Sequence, residues 1–296
     1  MKSAFVAVIG RPSAGKSTLL NAFCKQKVAI VSAVPQTTRN AIRGIVNREQ
    51  GQLVFVDTPG RHVSEKKLNR KLQGVADKAM GEADLILYVL DATRRSGAEE
   101  EAIAALLEPL SARVVVGINK MDVPKADLEG TRAFVREKLP QVPDNRILFV
   151  SALEKKGMEE LLGLLFDVAP EGQAQYPEDT YTDQDVQFRI SEIIREKAIN
   201  FLRDELPHAI YVDVADVELK EAENRLWVRA FIIVERESQK GIVVGKGGAQ
   251  IKAIRVAAQK DLNRIFDWKV ELDLRVKASH DWRQNDTVLK RLIDRG

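Results

Sequence analysis

Near its start the chain carries Gly10-Arg-Pro-Ser-Ala-Gly-Lys-Ser17, which fits G-x-x-x-x-G-K-[ST]. The chemistry of that spacing is phosphate binding. Backbone N–H groups of the glycine-bounded loop surround an anion, and the following helix adds its positive end. Residues 4–9 form a short apolar, β-branched run that reads as a buried strand, and 18–23 continue as a helix. A chance match in a helix-capping loop explains the glycines but not these flanks. The expected contacts are Gly10, Arg11, Ser13, Ala14, Gly15, Lys16, Ser17 and Thr18, with Lys16 on the outer phosphates and Ser17 on a Mg²⁺ ion.

Three further strand ends carry chemistry. Leu53-Val-Phe-Val-Asp-Thr-Pro-Gly60 delivers Asp57, placed to hold Mg²⁺ through water, and Gly60, whose N–H can read a γ-phosphate. The run 114–118 ends in Asn119-Lys-Met-Asp122. The Asp122 carboxylate can accept from guanine N1–H and the 2-amino group, a donor pair adenine lacks. A site built on such pairing discriminates by about 10⁴–10⁵. Asn119 would tie loops together, and the Lys120 stem would cover a face of the base. Residues 148–150 lead into Ser151-Ala152, whose backbone N–H can meet guanine O6. A P-loop kinase is the rival reading, and Asp122 in this setting argues against it.

The elements that must position these residues alternate in the first half of the chain. Strands are expected at 42–48, 53–57, 84–90, 113–118 and 147–150, and helices at 64–80, 98–107, 127–138 and 158–168. That alternation requires a mostly parallel α/β sheet. Residues 170–185 are rich in Pro, Glu, Gln, Asp and Thr without apolar periodicity and read as a linker. Beyond it the order changes: helix 186–202, strands 211–219 and 225–234 around a turn at 221–224, a glycine loop, helix 249–266, strand 269–277 and a short helix at 282–294. The expected domains are therefore 1–169 and 186–296.

Composition agrees with two domains. A chain of 296 residues with 45% hydrophobic content can bury two cores, and no apolar run reaches the roughly 18 residues needed to cross a membrane. The chain enters its first strand at once, leaving no room for a signal peptide. Cys24 is the only cysteine, so no disulfide framework exists and a reducing cytoplasm is expected. A net charge of +3 does not by itself indicate nucleic acid, so that reading must rest on local clustering.

Phosphate loop, Asp-Thr-Pro-Gly, Asn-Lys-x-Asp and Ser-Ala in this order resemble a translation-factor-class GTPase. Pro35-Gln-Thr-Thr-Arg39 followed by Ile42-Arg-Gly-Ile45 resembles the first switch of the Era family, bacterial GTPases with a C-terminal KH-type RNA-binding domain. The resemblance spans nearly the whole chain. It implies an α/β P-loop GTPase domain followed by an α+β type II KH domain, with GTP or GDP and Mg²⁺ as ligands. It also implies a switch threonine completing the Mg²⁺ shell, for which Thr38 is preferred over Thr37. Lys16, Thr38, Asp57 and Gly60 then form the catalytic set, and Ser17, Thr38 and Asp57 the metal set.

Two positions depart from the family pattern. Arg61, followed by His62, stands where small signalling GTPases hold a water-orienting glutamine and the Era family a hydrophobic residue, so slow intrinsic hydrolysis is expected. Ser13 stands where potassium-using relatives carry asparagine, so the resemblance does not carry potassium activation over.

In the second half, Gly241-Ile-Val-Val-Gly-Lys-Gly-Gly-Ala-Gln-Ile251 contains the G-x-x-G of a KH domain. The expected RNA-facing residues are Lys240, Ile242, Val243, Gly245, Lys246, Gly247, Gly248 and Lys252. Arg236, Arg255 and Lys260 extend the basic cluster, with Glu237 as its only acid. Trp227, Trp268 and Trp282 read as packing residues. By resemblance the RNA is the 3′ end of small-subunit ribosomal RNA, the partner is the small ribosomal subunit, and the inner face of the membrane is loosely contacted. An RNA-binding scaffold that holds GTP with little hydrolysis is the alternative.

Overall fold

The computed structural model describes residues 1–32, 34, 37–60 and 67–293, with backbone alone for 67–70 and 293. The chain forms two compact units: Met1–Ala29 with Thr38–Asp183, and Ile30–Thr37 with Gln184–Arg295.

In the first unit, β1 (Lys2–Ile9), β2 (Ile42–Arg48), β3 (Gly51–Asp57), β4 (Leu85–Asp91), β5 (Val114–Asn119) and β6 (Ile147–Phe149) form one sheet in the order β2-β3-β1-β4-β5-β6. Only β2 runs antiparallel to its neighbour. The helices are α1 (Lys16–Cys24), α2 (Lys67–Glu82), α3 (Ala98–Leu107), α4 (Leu128–Lys138) and α5 (Met158–Val168). Every position of β3, β4 and β5 is buried, which is why these strands read as continuous apolar runs rather than alternating ones. On one face, Ile103, Ala104 and Leu107 of α3 and Val135 of α4 pack on Ile86, Tyr88, Val114 and Val116. On the other, Phe23 of α1 stacks on Phe55 with ring centroids 4.8 Å apart. Because the core strands are parallel, their carboxyl ends meet at one edge: Gly10 after β1, Asp57, Asp91, Asn119, and Ser151 after β6.

The stretch 170–183 belongs to the first unit and is pinned along it. The Ile45 N–H donates to Tyr181 O (2.9 Å), and the Thr182 hydroxyl donates to Arg43 O (2.8 Å). Gln52, fully buried, donates to Tyr176 O (2.8 Å) and accepts from the N–H groups of Gln175 (2.8 Å) and Tyr176 (3.0 Å). Lacking apolar periodicity, this segment is held by hydrogen bonds to β2 and to Gln52 of β3 instead.

In the second unit, α6 (Val186–Phe201), β7 (Tyr211–Lys220), β8 (Arg225–Val234), α7 (Glu237–Val244), α8 (Ala249–Ile265), β9 (Lys269–Ala278) and α9 (Asp286–Ile293) follow in order. The sheet runs β7-β8-β9, with β7 antiparallel and β9 parallel to β8. Asp185 caps α6, accepting from the Phe188 N–H at 2.7 Å. Ile190, Ile193 and Ile194 of α6 and Ile254, Ala258 and Leu262 of α8 bury one face of the sheet. The expected elements recur within one to four residues, with two differences. Helix α7 was not expected, the stretch before the glycine loop having been given no element; it coils because Gln239 Oε1 accepts from the N–H groups of Glu235 (3.0 Å) and Arg236 (2.9 Å), and Val243 is wholly buried. The expected start of α2 at 64–66 lies outside the described residues.

Trp282 is fully buried, donating its indole N–H to Ala209 O (3.1 Å) and packing edge-on to Tyr211, as the packing reading requires. Trp282→Ala removes that volume and orphans a carbonyl, and should cost about 3–5 kcal/mol of second-unit stability, with Trp282→Phe costing less. Urea unfolding of the full chain, followed by circular dichroism, measures it.

Candidate functional site

The loop after β1 closes over the start of α1. Gly15 holds φ at +98°, and a Cβ there would come within 2.2 Å of Asn119 Nδ2, so only glycine lets the phosphate loop and the β5 loop meet. Asn119, 2% exposed, ties them: its amide donates to Ala14 O (2.9 Å) and accepts from Ala152 N–H (3.0 Å). This is the loop-tying role expected of it. Ser13 adopts φ +63°, a left-handed conformation uncommon for a non-glycine residue. Lys16, buried beneath the loop, donates to the carbonyls of Gly10 and Arg11, both at 3.0 Å.

At the opposite side of the loop three oxygens converge. Ser17 Oγ donates to Asp57 Oδ2 (2.5 Å) and lies 3.1 Å from Thr38 Oγ1, which is 3.4 Å from the same carboxylate oxygen. Thr38, rather than Thr37, is therefore beside Ser17 and Asp57. Asp57 is wholly buried, and its Oδ1 has no hydrogen-bond partner among the described residues. Burial pushes the Asp57 carboxyl above its ordinary range, against the opposing pull of Lys16 and of hydrogen bonds from Ser17 and Thr38. Burial likewise lowers Lys16 to about 8, with Asp57 opposing. Both directions are those of buried groups whose charged forms the protein alone under-compensates, the electrostatic signature of a site built for charged ligands. Gly60 lies against Pro12 of the loop, and Thr58 anchors the turn by donating to Val8 O at 2.9 Å. Arg61 and His62 lie outside the described residues.

On the base side, Ser151 N–H donates to Lys156 O (2.9 Å) and Ala152 N–H to Asn119 Oδ1 (3.0 Å), which fixes the turn where these amides were expected to meet guanine O6. Asp122 is half-buried in the turn that Val123 N–H closes onto Lys120 O at 3.1 Å. Lys120 holds φ +70° and donates to Asp91 Oδ2 at 2.6 Å. The Arg11 side chain is turned inward, pairing with Glu100 (2.8 Å) and Asp91 (3.4 Å), so only its backbone faces the loop. Sequence reasoning missed Asp91 and Glu100. The available signal was a strand ending in a carboxylate, as β3 does.

In the second unit the glycine loop stands between α7 and α8. Gly245, Gly247 and Gly248 all hold positive φ (73°, 59° and 78°), and open space surrounds Gly247 and Gly248. Lys246, Gly247 and Lys252 are exposed, as is Ile242 at 58%. Val243 is a correction: at 0% exposure it is core, because the α7 helical period turns it inward while Ile242 points out. Lys240 pairs with Glu237 at 2.7 Å, the one acid of the cluster.

Fold and site together define a P-loop GTPase joined to a KH domain. Residues 5–120 match the family described as 50S ribosome-binding GTPase, and residues 205–283 match the KH domain family. The chain belongs to the Era family of GTPases. It is 52% identical over 292 residues to GTPase Era of Treponema denticola, covering 99% of each chain, and 46% identical to that of Treponema pallidum, covering 99% of this chain and 97% of the relative. It superimposes with a TM-score of 0.93 and 34% identity on a point variant of Aquifex aeolicus Era bound to GDP and AlF4⁻, each chain fully covered. The same score and identity relate it to Era in complex with MgGDPNP and nucleotides 1506–1542 of 16S ribosomal RNA, over 100% of this chain and 99% of that one.

Asn119→Ala would leave the Ala152 N–H and the Ala14 carbonyl buried without partners, at about 1–3 kcal/mol each. The expected outcome is GDP affinity reduced at least tenfold, measured by titration with a fluorescent GDP analogue.

Proposed function

We propose that this chain is a slow GTP-hydrolysing switch that binds the 3′ end of 16S ribosomal RNA through its KH domain and serves small-subunit maturation. The observation that carries the reading is the convergence of Ser17, Thr38 and Asp57 on one point beside Lys16. One carboxylate and two hydroxyls form an oxygen set suited to Mg²⁺, which keeps waters and takes its remaining ligands from substrate phosphates. The orphaned Asp57 Oδ1 fits that demand. When bound, Mg²⁺ neutralises charge developing on the β- and γ-phosphate oxygens.

The chain's own groups do the rest. The N–H groups of residues 13–18 and the start of α1 hold the phosphates, and Lys16 exchanges its carbonyl partners for the outer phosphate oxygens. Asp122 reads the guanine edge, and Gly60 N–H reports the γ-phosphate. With no glutamine after Gly60, hydrolysis rests on positioning and charge, and single-turnover hydrolysis by the chain alone should fall in the range of about 10⁻²–10⁻⁴ s⁻¹. A phosphate-release assay measures it, and no release above background would favour the non-hydrolysing scaffold.

Coupling between the nucleotide and the RNA is proposed to run through the switch segment. Residues 30–37 belong to the second unit, where Val31 N–H donates to Glu196 (3.2 Å), Ser32 to Asn200 (2.6 Å) and Arg195 to Thr37 O (2.6 Å). Thr38, the next residue, belongs with Ser17 and Asp57 in the first. With nucleotide bound, Thr38 would be held at the metal site while Val31, Ser32 and Thr37 stay bonded to α6, so the segment would carry the nucleotide state to that helix, the logic of nucleotide switches.

RNA binding is assigned to the exposed Lys246, Gly247 and Lys252, with Gly248 letting a sugar-phosphate approach the start of α8. A KH domain clamps about four nucleotides, so log affinity should fall with log salt at a slope of about −2 to −3. The proposed compartment is the cytoplasm, with weak peripheral contact at the inner membrane face. No helix among the described residues is long and apolar enough to cross a membrane.

The test is affinity for a short single-stranded oligonucleotide from the 3′ end of 16S ribosomal RNA, with the chain loaded with a GTP analogue, with GDP, or empty. Tightest binding with the analogue is expected, and Gly248→Asp should abolish it. A Cβ at Gly248 meets open space but φ +78° strains any L residue, so Gly248→Asn, with the same strain and no charge, serves as the control that isolates the electrostatic part of the loss. Equal binding in all three states would disprove the coupling.

A further inference from the structure

Beneath the nucleotide loops lies a second buried cluster that the reading above does not use. It contains two carboxylates and two cations: Asp91 at the end of β4, Glu100 on α3, Arg11 of the phosphate loop and Lys120 of the base loop. Side-chain exposure is 1% for Asp91, 6% for Glu100, 8% for Arg11 and 31% for Lys120. The formal charges cancel, as a buried cluster requires.

Asp91 is its hub. Oδ1 accepts from Thr93 N–H (2.9 Å) and Thr93 Oγ1 (2.5 Å), while Oδ2 accepts from Lys120 Nζ (2.6 Å) and faces Arg11 at 3.4 Å. Burial alone would raise this carboxyl, yet the bonds from Lys120 and Thr93 hold it below its ordinary range, so it stays ionised at neutral pH. Asp91 is also the β-ladder partner of Asn119, and Ala92 N–H donates to Asn119 O at 3.1 Å, so the hub is one strand away from the base loop. Lys120 adopts φ +70°, a conformation a lysine keeps only when its surroundings over-determine it.

We propose that Asp91 is a positioning residue for guanine nucleotide: by holding Lys120 and Arg11 on one carboxylate oxygen it locks the base loop to the phosphate loop, and so sets how slowly nucleotide leaves. Asp91 touches no nucleotide. It fixes the Lys120 ammonium so that the stem lies where the base stacks, and it keeps the Arg11 backbone in the loop conformation that surrounds phosphate. Release then requires both loops to loosen together. The proposal rests on reading the site as guanine-specific.

The experiment measures dissociation of a fluorescent GDP analogue from the full chain for wild type, Asp91→Asn, Lys120→Met and the double variant, with melting temperature recorded for each. Asp91→Asn and Lys120→Met should each speed release at least tenfold. The double variant should release no more than about twofold faster than the quicker single one, because Asp91 acts through Lys120. Thr93→Val keeps the charge but frees the carboxylate to turn, and should speed release severalfold, which covers the case in which Asp91→Asn fails to fold. Unchanged release in Asp91→Asn would overturn the proposal. So would effects that multiply in the double variant, or a fall in melting temperature with release unaltered. Competition of wild type with ADP separates the two levels: equal retention of ADP and GDP would sink the guanine reading, whatever Asp91 does to the release rate.

Discussion

A carboxylate and an ammonium buried together at the end of a parallel sheet govern the first unit. Asp57 and Lys16 are both out of water, and each is displaced from its ordinary pKa in the direction of its neutral form. Burying charge that way is unfavourable unless ligands of opposite sign complete the site. The rest of the unit serves that arrangement. Continuous apolar strands bury the sheet on both faces, parallel pairing brings their carboxyl ends to one edge, and Gly15 removes the Cβ that would keep the loops apart.

The second unit solves a different problem, an open backbone at the head of a helix. Its answer is local: three glycines at positive φ at the start of α8, in open space, with exposed lysines beside them. The fold behind the loop is rigid for ordinary reasons, two helices over one face of a three-stranded sheet with Trp282 closing the end. Val243 belongs to that rigid part, which leaves the loop, its lysines and the outward side of α7 exposed.

Between these sites the chain is partitioned in a way its order does not announce. Val31, Ser32 and Thr37, which precede Thr38, are held by Glu196, Asn200 and Arg195 of α6, whereas 170–183 are held by β2 and by Gln52 of β3. The segment 30–37 is flanked on both sides by residues of the first unit, whereas 170–183 continue that unit up to its boundary with the second.

What the sequence determined by itself is the local chemistry. The phosphate loop, Asp57 at a strand end, the Asn119–Asp122 loop and the glycine loop before α8 are short-range patterns, and their function follows from spacing along a few residues. Strand and helix positions followed for the same reason, since hydrophobic periodicity is a local quantity. What tertiary structure alone decided depends on partners distant in sequence. The amides of Ser151 and Ala152 found partners in Lys156 and Asn119, Val243 was turned inward by a helix that β-branched residues do not announce, and 170–183 acquired order from Gln52 and β2. Asp91 became a hub because Arg11 and Lys120 arrive beside it from two other loops. Burial and pairing are properties of the packed chain, and no spacing within one segment encodes which charge another segment will bring.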